Sequence, residues 1–89
     1  MGYHVKLLRE ANRELKLAEC YFDAWNKKNE FLRDFNHQME RIEENPFLFQ
    51  VRYRNIRIIK FEHFSYSVHY TIMNQEVIVI AILGQNQSY

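Results

Sequence analysis

The rhythm of apolar positions changes at Pro46, the single proline of the chain. Near the N-terminus, Tyr3, Val5 and Leu7 alternate with His4 and Lys6, a period of two that predicts a short strand. Ala11, Leu15, Ala18, Phe22 and Trp25 then recur at steps of four, three, four and three. That spacing lines one face of an amphipathic helix, with Arg13, Lys16, Glu19 and Asp23 largely opposite. The segment Asn26-Lys27-Lys28-Asn29 has no apolar residue and reads as a turn. Asn29 is placed to cap the next helix, and Glu30 falls in its first turn. Phe31, Phe35, Met39 and Ile42 mark the buried side of that second helix, and Arg41 lies near its C-terminal end. Asn45-Pro46 closes it, because a residue before proline is pushed out of the helical region. The two helices form an antiparallel hairpin.

After Pro46 the period becomes two. Phe49, Val51 and Tyr53 alternate, and Arg54-Asn55 follows as a tight turn. Ile56–Glu62 is a second run, and residues 66–73 a third, with Tyr66, Val68, Tyr70 and Ile72 on one face. Asn74-Gln75 occupies the position of a hairpin turn. Glu76–Leu83 is almost continuously apolar, which predicts a strand inside the sheet rather than at its edge. The fold class is therefore α+β: a short N-terminal strand, a helical hairpin, then a three- or four-stranded antiparallel sheet. At 89 residues it is one domain over 1–89.

Composition sharpens this picture. Aromatic residues make up 16% of the chain, so the core is built from rings, each burying about 150–250 Å². One cysteine, Cys20, cannot form an intramolecular disulfide or a multi-thiolate zinc site, and it reads as a partly buried helix residue. No signal or lipidation pattern is present, and the longest apolar run, Val77–Leu83, is too short to span a membrane. The expectation is a cytoplasmic protein without membrane contact. The net charge of +1 does not suit a protein that grips nucleic acid through phosphates, so specific DNA binding is not expected. Charge is nevertheless uneven. Arg52, Arg54, Arg57 and Lys60 share residues 51–60 with no acid, while Glu40, Glu43 and Glu44 lie just upstream.

Several segments, in this order, resemble the RelE/ParE toxins, and more closely their ParE-like branch. Glu44-Asn45-Pro46 is similar to the family's helix end, and Asn55-Ile56-Arg57 to its Gly-x-Arg entry to a strand. Phe64-Ser65-Tyr66-Ser67-Val68-His69-Tyr70 is similar to its Phe-Pro-Tyr-x-Ile-x-Tyr stretch. Glu76–Leu83 resembles its final strand, and Ala11, Leu15 and Tyr21-Phe22 its first helix. The resemblance implies the toxin of a type II toxin–antitoxin pair. Such a protein poisons DNA gyrase by binding it and is neutralised by a small acidic cognate antitoxin whose tail folds on it. The alternatives are a RelE-like, ribosome-dependent messenger RNA endonuclease, or a non-toxic interaction module with a decayed tail.

Two departures weigh against the endonuclease. RelE-like members carry an arginine where this chain has Ser67 and further basic groups at the C-terminus, where this chain's tail is uncharged; ParE-like members in turn usually follow the last strand with a His-x-x-Arg-type segment, and Gly84–Tyr89 supplies neither histidine nor arginine. RNA cleavage needs groups that activate the 2′-hydroxyl, stabilise phosphate charge and protonate the leaving group. Arg57 and Lys60 suit the second task, and only Tyr89 and His69 remain for the others.

The candidate target- or antitoxin-binding residues are Arg52, Arg54, Arg57, Lys60, Phe61, Phe64, Tyr66, Gln85, Asn86 and Gln87. Each has a plainer reading beside it. Arg57 is either a contact to a partner carboxylate or half of an internal ion pair. Arg52, Arg54 and Lys60 form either a basic docking face or a solvated strand face. Tyr66 and Tyr70 read best as packing residues. Phe61 and Phe64 are placed at a groove that would receive an antitoxin segment. The stripe Phe22, Trp25, Phe31 and Phe35 reads as core. His4, His37, His63 and His69 share no ligand spacing, so neither a metal nor a cofactor is expected.

Overall fold

The computed structural model describes residues 3–84. Strand β1 (His4–Leu7) leads into helices α1 (Arg9–Asp23) and α2 (Lys28–Glu44). A 3-10 turn at Pro46–Leu48 follows, and then β2 (Val51–Tyr53), β3 (Ile56–Lys60), β4 (Tyr66–Met73) and β5 (Glu76–Gly84). The strands form one five-stranded sheet in the order β1-β5-β4-β3-β2. The four later strands pair antiparallel, as their alternation predicts. The N-terminal strand joins the same sheet rather than standing apart, and pairs parallel with β5. That pairing places β5 inside the sheet, which explains its apolar sequence.

Two hairpin turns are tight. Arg54 and Asn55, and likewise Asn74 and Gln75, have positive φ at both central positions. That geometry matches the right-handed twist of the flanking strands. Between the turns, β4 and β5 are not in simple register. His69 lies opposite Ala81 and Tyr70 opposite Val79, so Ile80 is an extra residue on β5. The bulge resets the period of two. Val77, Val79 and Ile82 all become buried, where strict alternation would have turned Ala81 inward.

The helical hairpin covers one face of the sheet. Ala11, Leu15 and Ala18 of α1 and Phe31, Phe35 and Ile42 of α2 pack with Ile59, Phe61, Val68, Tyr70, Val77, Val79 and Ile82. Rings dominate, as composition predicts: Phe31 stacks on Phe22 and Phe61 at centroid distances of 4.9 and 5.2 Å. Three local expectations need correction. Trp25 lies beyond the end of α1 and is 65% exposed, so it is not core. Helix α2 begins at Lys28, and Lys27 precedes it with no side-chain cap, so Asn29 lies inside the first turn instead of capping it. Cys20 is exposed rather than partly buried. Among the described residues no helix is long and apolar enough to cross a membrane.

Candidate functional site

An open cleft of about 1100 Å³ lies between the helical hairpin and the loop joining β3 to β4. Its apolar wall is Tyr21 and Phe22 from α1 with Phe64 and Tyr66 from the sheet side. Phe22 meets Phe64 and Tyr66 edge-on at 4.8 and 5.7 Å. Its polar wall is Lys27, Glu30, Arg33 and His37 from the hairpin, facing Glu62 and His63. His37 Nε2 lies 2.9 Å from one oxygen of Glu62, and His63 Nε2 lies 3.9 Å from the other.

The loop holding Glu62–Ser65 is fixed by one buried carboxylate. Asp34 accepts hydrogen bonds from the backbone amides of Glu62 and His63, at 3.1 and 2.7 Å. Gln38, one turn further along α2 and fully buried, donates to the same carboxylate at 2.9 Å. Burial pushes the Asp34 pKa up, but these hydrogen bonds and the nearby His63 outweigh it, and the net shift is downward. A charged group is thus held beneath the cleft floor with its hydrogen bonds supplied by backbone and amide donors. Sequence reasoning overlooked Asp34 and Gln38, although a signal existed. Both fall on the apolar stripe of α2, between Phe31, Phe35 and Ile42, where a polar residue requires a buried partner.

A second surface lies at the other end of β3 and along the outer strand β2. Arg52 and Arg54 are exposed there, together with Val51, Tyr53, Phe47 and Leu48, whereas Lys60, also exposed, stands at the cleft end of β3. Arg57 stands apart from this basic set, and in place of the internal ion pair that was one of its two readings it bonds to carbonyls. Its guanidinium donates to the Phe49 carbonyl at 2.6 Å and reaches the Phe47 carbonyl at 3.5 Å. It also lies over the Phe47 ring at 5.2 Å. Beside it, the Tyr70 hydroxyl donates to the Pro46 carbonyl at 2.6 Å. Burial raises the Tyr70 pKa to about 12, partly offset by Arg57. Together Arg57 and Tyr70 tie the 46–49 segment to the sheet.

The face of β4 away from the helices carries a polar chain. Tyr53 OH is 3.0 Å from His69 Nδ1, and His69 Nε2 is 3.1 Å from Ser67 Oγ. Ser67 Oγ in turn lies 3.5 Å from the Leu83 carbonyl. One arrangement satisfies all of them: Tyr53 donates to Nδ1, Nε2–H donates to Ser67, and Ser67 donates to Leu83. Ser67 and His69 are buried, and burial lowers the His69 pKa. Chemically this is a chain of hydrogen bonds that runs from the exposed Tyr53 to the buried His69 and Ser67.

The sequence-predicted candidates are therefore divided. Phe64 and Tyr66 line the cleft, while burial raises the Tyr66 pKa, with Tyr21 adding to the shift. Phe61 is only 6% exposed and belongs to the core, not to a groove. Arg52 and Arg54 lie at the far end of β3 from the cleft, and Lys60 ends β3 next to the loop. Gln85, Asn86 and Gln87 lie outside the described residues.

Comparison with known proteins agrees with the fold. No curated protein matches the chain. Among solved structures, it is similar to a protein described as the chromosomal ParDE TA system from P. aeruginosa, with a TM-score of 0.79 and 15% identity. The superposition covers 92% of this chain and 95% of the other. That identity speaks for the fold alone. The family profile of the ParE toxin of type II toxin-antitoxin system, parDE, matches residues 5–89, nearly the whole sequence, and on that match the chain belongs to the ParE toxin family.

Proposed function

We propose that this ParE-family toxin acts by binding a target, DNA gyrase, rather than by catalysis, and that a small acidic antitoxin neutralises it. The observation that carries this reading is the use made of the polar residues on the sheet. Arg57 is committed to the Phe49 carbonyl, and Ser67 and His69 are buried in a hydrogen-bond chain. Ser67 and His69 are thereby withdrawn from solvent and the Arg57 guanidinium is engaged by main-chain carbonyls, while two exposed surfaces remain for protein contact.

The antitoxin is assigned to the β2 edge. Strand β2 lies at the end of the sheet order, so among the described residues one side of its backbone has no neighbouring strand. An extended segment can add there by main-chain hydrogen bonds. Arg52 and Arg54 disfavour pairing with a second copy of the same strand, since antiparallel self-pairing would bring like charges together. The same arginines favour an acidic segment, raising its encounter rate more than its affinity. Val51, Tyr53, Phe47 and Leu48 offer the accompanying apolar contact. The cleft of Phe22, Phe64 and Tyr66 is assigned to the target, which frees the two surfaces to act in opposition.

Induced expression tests toxicity directly. The expected result is growth arrest, relieved by co-expression of the cognate antitoxin. Growth without arrest from a soluble, folded product would contradict the toxin reading and leave a non-toxic interaction module.

A further inference from the structure

Both helices pack on one face of the sheet, so among the described residues the opposite face carries no second layer. The apolar side chains on that outer face show what such a position leaves open. Ile58, Ile78 and Leu83 alternate with the inward Ile59, Val77, Val79 and Ile82, and all three are only half-buried. Ser67 and His69 share the outer face, yet they are 1% and 0% exposed. His69 is flanked by Ile58 on β3 and by Ala81 on β5, and Ser67 by Lys60 and Leu83. Neighbours on a pleated sheet stand side by side, so they shield a ring from the flanks and not from above. Tyr53 meets one edge of the imidazole and is itself exposed, and the methyl group of Ala81 is too small to shield the rest. Complete burial calls for a covering segment.

The strand that ends beside these residues leads to one. Leu83 lies opposite Ser67, and β5 ends at Gly84. The sequence continues as Gln85-Asn86-Gln87-Ser88-Tyr89, outside the described residues. Fully extended, that stretch reaches at most about 17 Å. The row of His69 and Ala81 lies three residues back along β5 from Gly84, about 10 Å away. The chemistry of the stretch suits the place. A buried serine and histidine call for hydrogen-bonding neighbours rather than charges. The stretch offers three side-chain amides and two hydroxyls, and it has no charged side chain. Tyr89 adds a ring to match the half-buried Ile58 and Ile78. The uncharged sequence that sets this chain apart from the toxins it resembles thereby acquires a use.

We propose that Gln85–Tyr89 folds back across the outer face of β4 and β5 and covers Ser67 and His69. The occupant of this face is the chain's own segment, not a target, an antitoxin or a second copy. Gln85, Asn86 and Gln87 are then committed to the sheet, and contact with partners falls to the cleft and the β2 edge. The assignment holds whatever the toxin's target.

The test is carbethoxylation of the purified full chain by diethyl pyrocarbonate, read residue by residue with mass spectrometry. His4, His37 and His63 are exposed and serve as references within the same molecule. His69 is expected to react roughly tenfold or more slowly than these three, since reagent reaches it only through local opening. Deletion of Gln85–Tyr89, with circular dichroism confirming the fold, is expected to remove that protection. A second measurement keeps the chain whole and decides alone if the shortened chain does not fold. A nitroxide on Ser88→Cys, in a Cys20→Ser background, is expected to broaden the methyl resonances of Ile58 and Ile78 strongly and that of Ile42, on the helix side, weakly. Protection of His69 that survives the deletion would overturn the inference, because the sheet's own side chains would then suffice. So would rapid reaction of His69 in the full chain, equal broadening on both faces, or protection that grows with protein concentration and thus reports a second copy.

Discussion

The cleft and the β2 edge stand at opposite ends of β3, about 17 Å apart at roughly 3.3 Å per residue, and they are held by different forces. The cleft is braced from within. Its loop hangs from the Asp34 carboxylate, its rings lean on Phe31, and every brace lies in the dry layer between helices and sheet. The edge has no such layer. Strand β2 is three residues long and exposed throughout, and its approach is tied down by Arg57 and Tyr70 reaching backbone carbonyls. A surface of fixed shape suits recognition of a folded target, whereas a short, basic, open edge suits a segment that orders only on arrival. Under the proposed function, the two halves of a toxin–antitoxin cycle would be divided between these two regions.

Substitutions that separate the two regions test this contrast. The largest effect is expected from Phe31→Ala, which empties the centre of the ring cluster. Unfolding in urea should show a loss of about 3–5 kcal/mol, with the cleft disrupted as well. Asp34→Ala should cost about 1–3 kcal/mol, because it leaves two backbone amides and Gln38 without their shared acceptor. Hydrogen exchange should accelerate at Glu62 and His63 while the β2 amides keep their wild-type rates. Equal acceleration at both ends of β3 would show that the regions are not separately held.

The pH dependence should also divide. Tyr70 has its folded pKa raised to about 12 against an ordinary value of 10, so the unfolded chain loses that proton first. Stability from this group is complete below pH 10 and declines as pH rises towards 12, and Tyr70→Phe should reduce the alkaline decline, leaving the part due to Tyr66, whose pKa burial also raises. His69 has its folded pKa lowered from 6.5, so the unfolded chain takes up the proton first as pH falls. Stability should therefore decrease below about pH 6.5 and level off once the folded state also protonates. Asp34 adds to the acid side: its folded pKa is below 3.8, and its contribution is lost as pH falls through that folded value. The smallest stability change belongs to the edge. Arg52→Glu with Arg54→Glu should alter stability by no more than about 0.5 kcal/mol each. Titration with the acidic antitoxin should nonetheless show a slower on-rate and a flatter salt dependence.

Much of the fold was legible in the alternating and helical periods. Pro46 divides the chain where the sequence says it should, and Tyr66, Val68, Tyr70 and Ile72 share the covered face. What escaped had physical reasons. The parallel pairing of β1 with β5 depends on a contact more than seventy residues apart in sequence, to which no local period refers. Trp25 fits the helical spacing, but α1 ends before it, so periodicity continued past the element that gave it meaning. The site was less legible than the fold. Arg57 reads as the partner of a carboxylate, external or internal, because sequence shows its charge and not the carbonyls of Phe47 and Phe49 folded back against it. Asp34 reads as an ordinary helix acid unless its place on the apolar stripe is weighed against the cost of burying it.

The account turns on whether this protein inhibits by binding. The most direct measurement is DNA supercoiling by purified gyrase titrated with purified toxin, alongside translation reactions supplied with messenger RNA. The account predicts that supercoiling falls as toxin approaches the gyrase concentration, that antitoxin restores it, and that the messenger RNA stays intact. Unchanged supercoiling at a large excess of folded toxin, or ribosome-dependent cleavage of the message that is lost in Arg57→Ala, would contradict it.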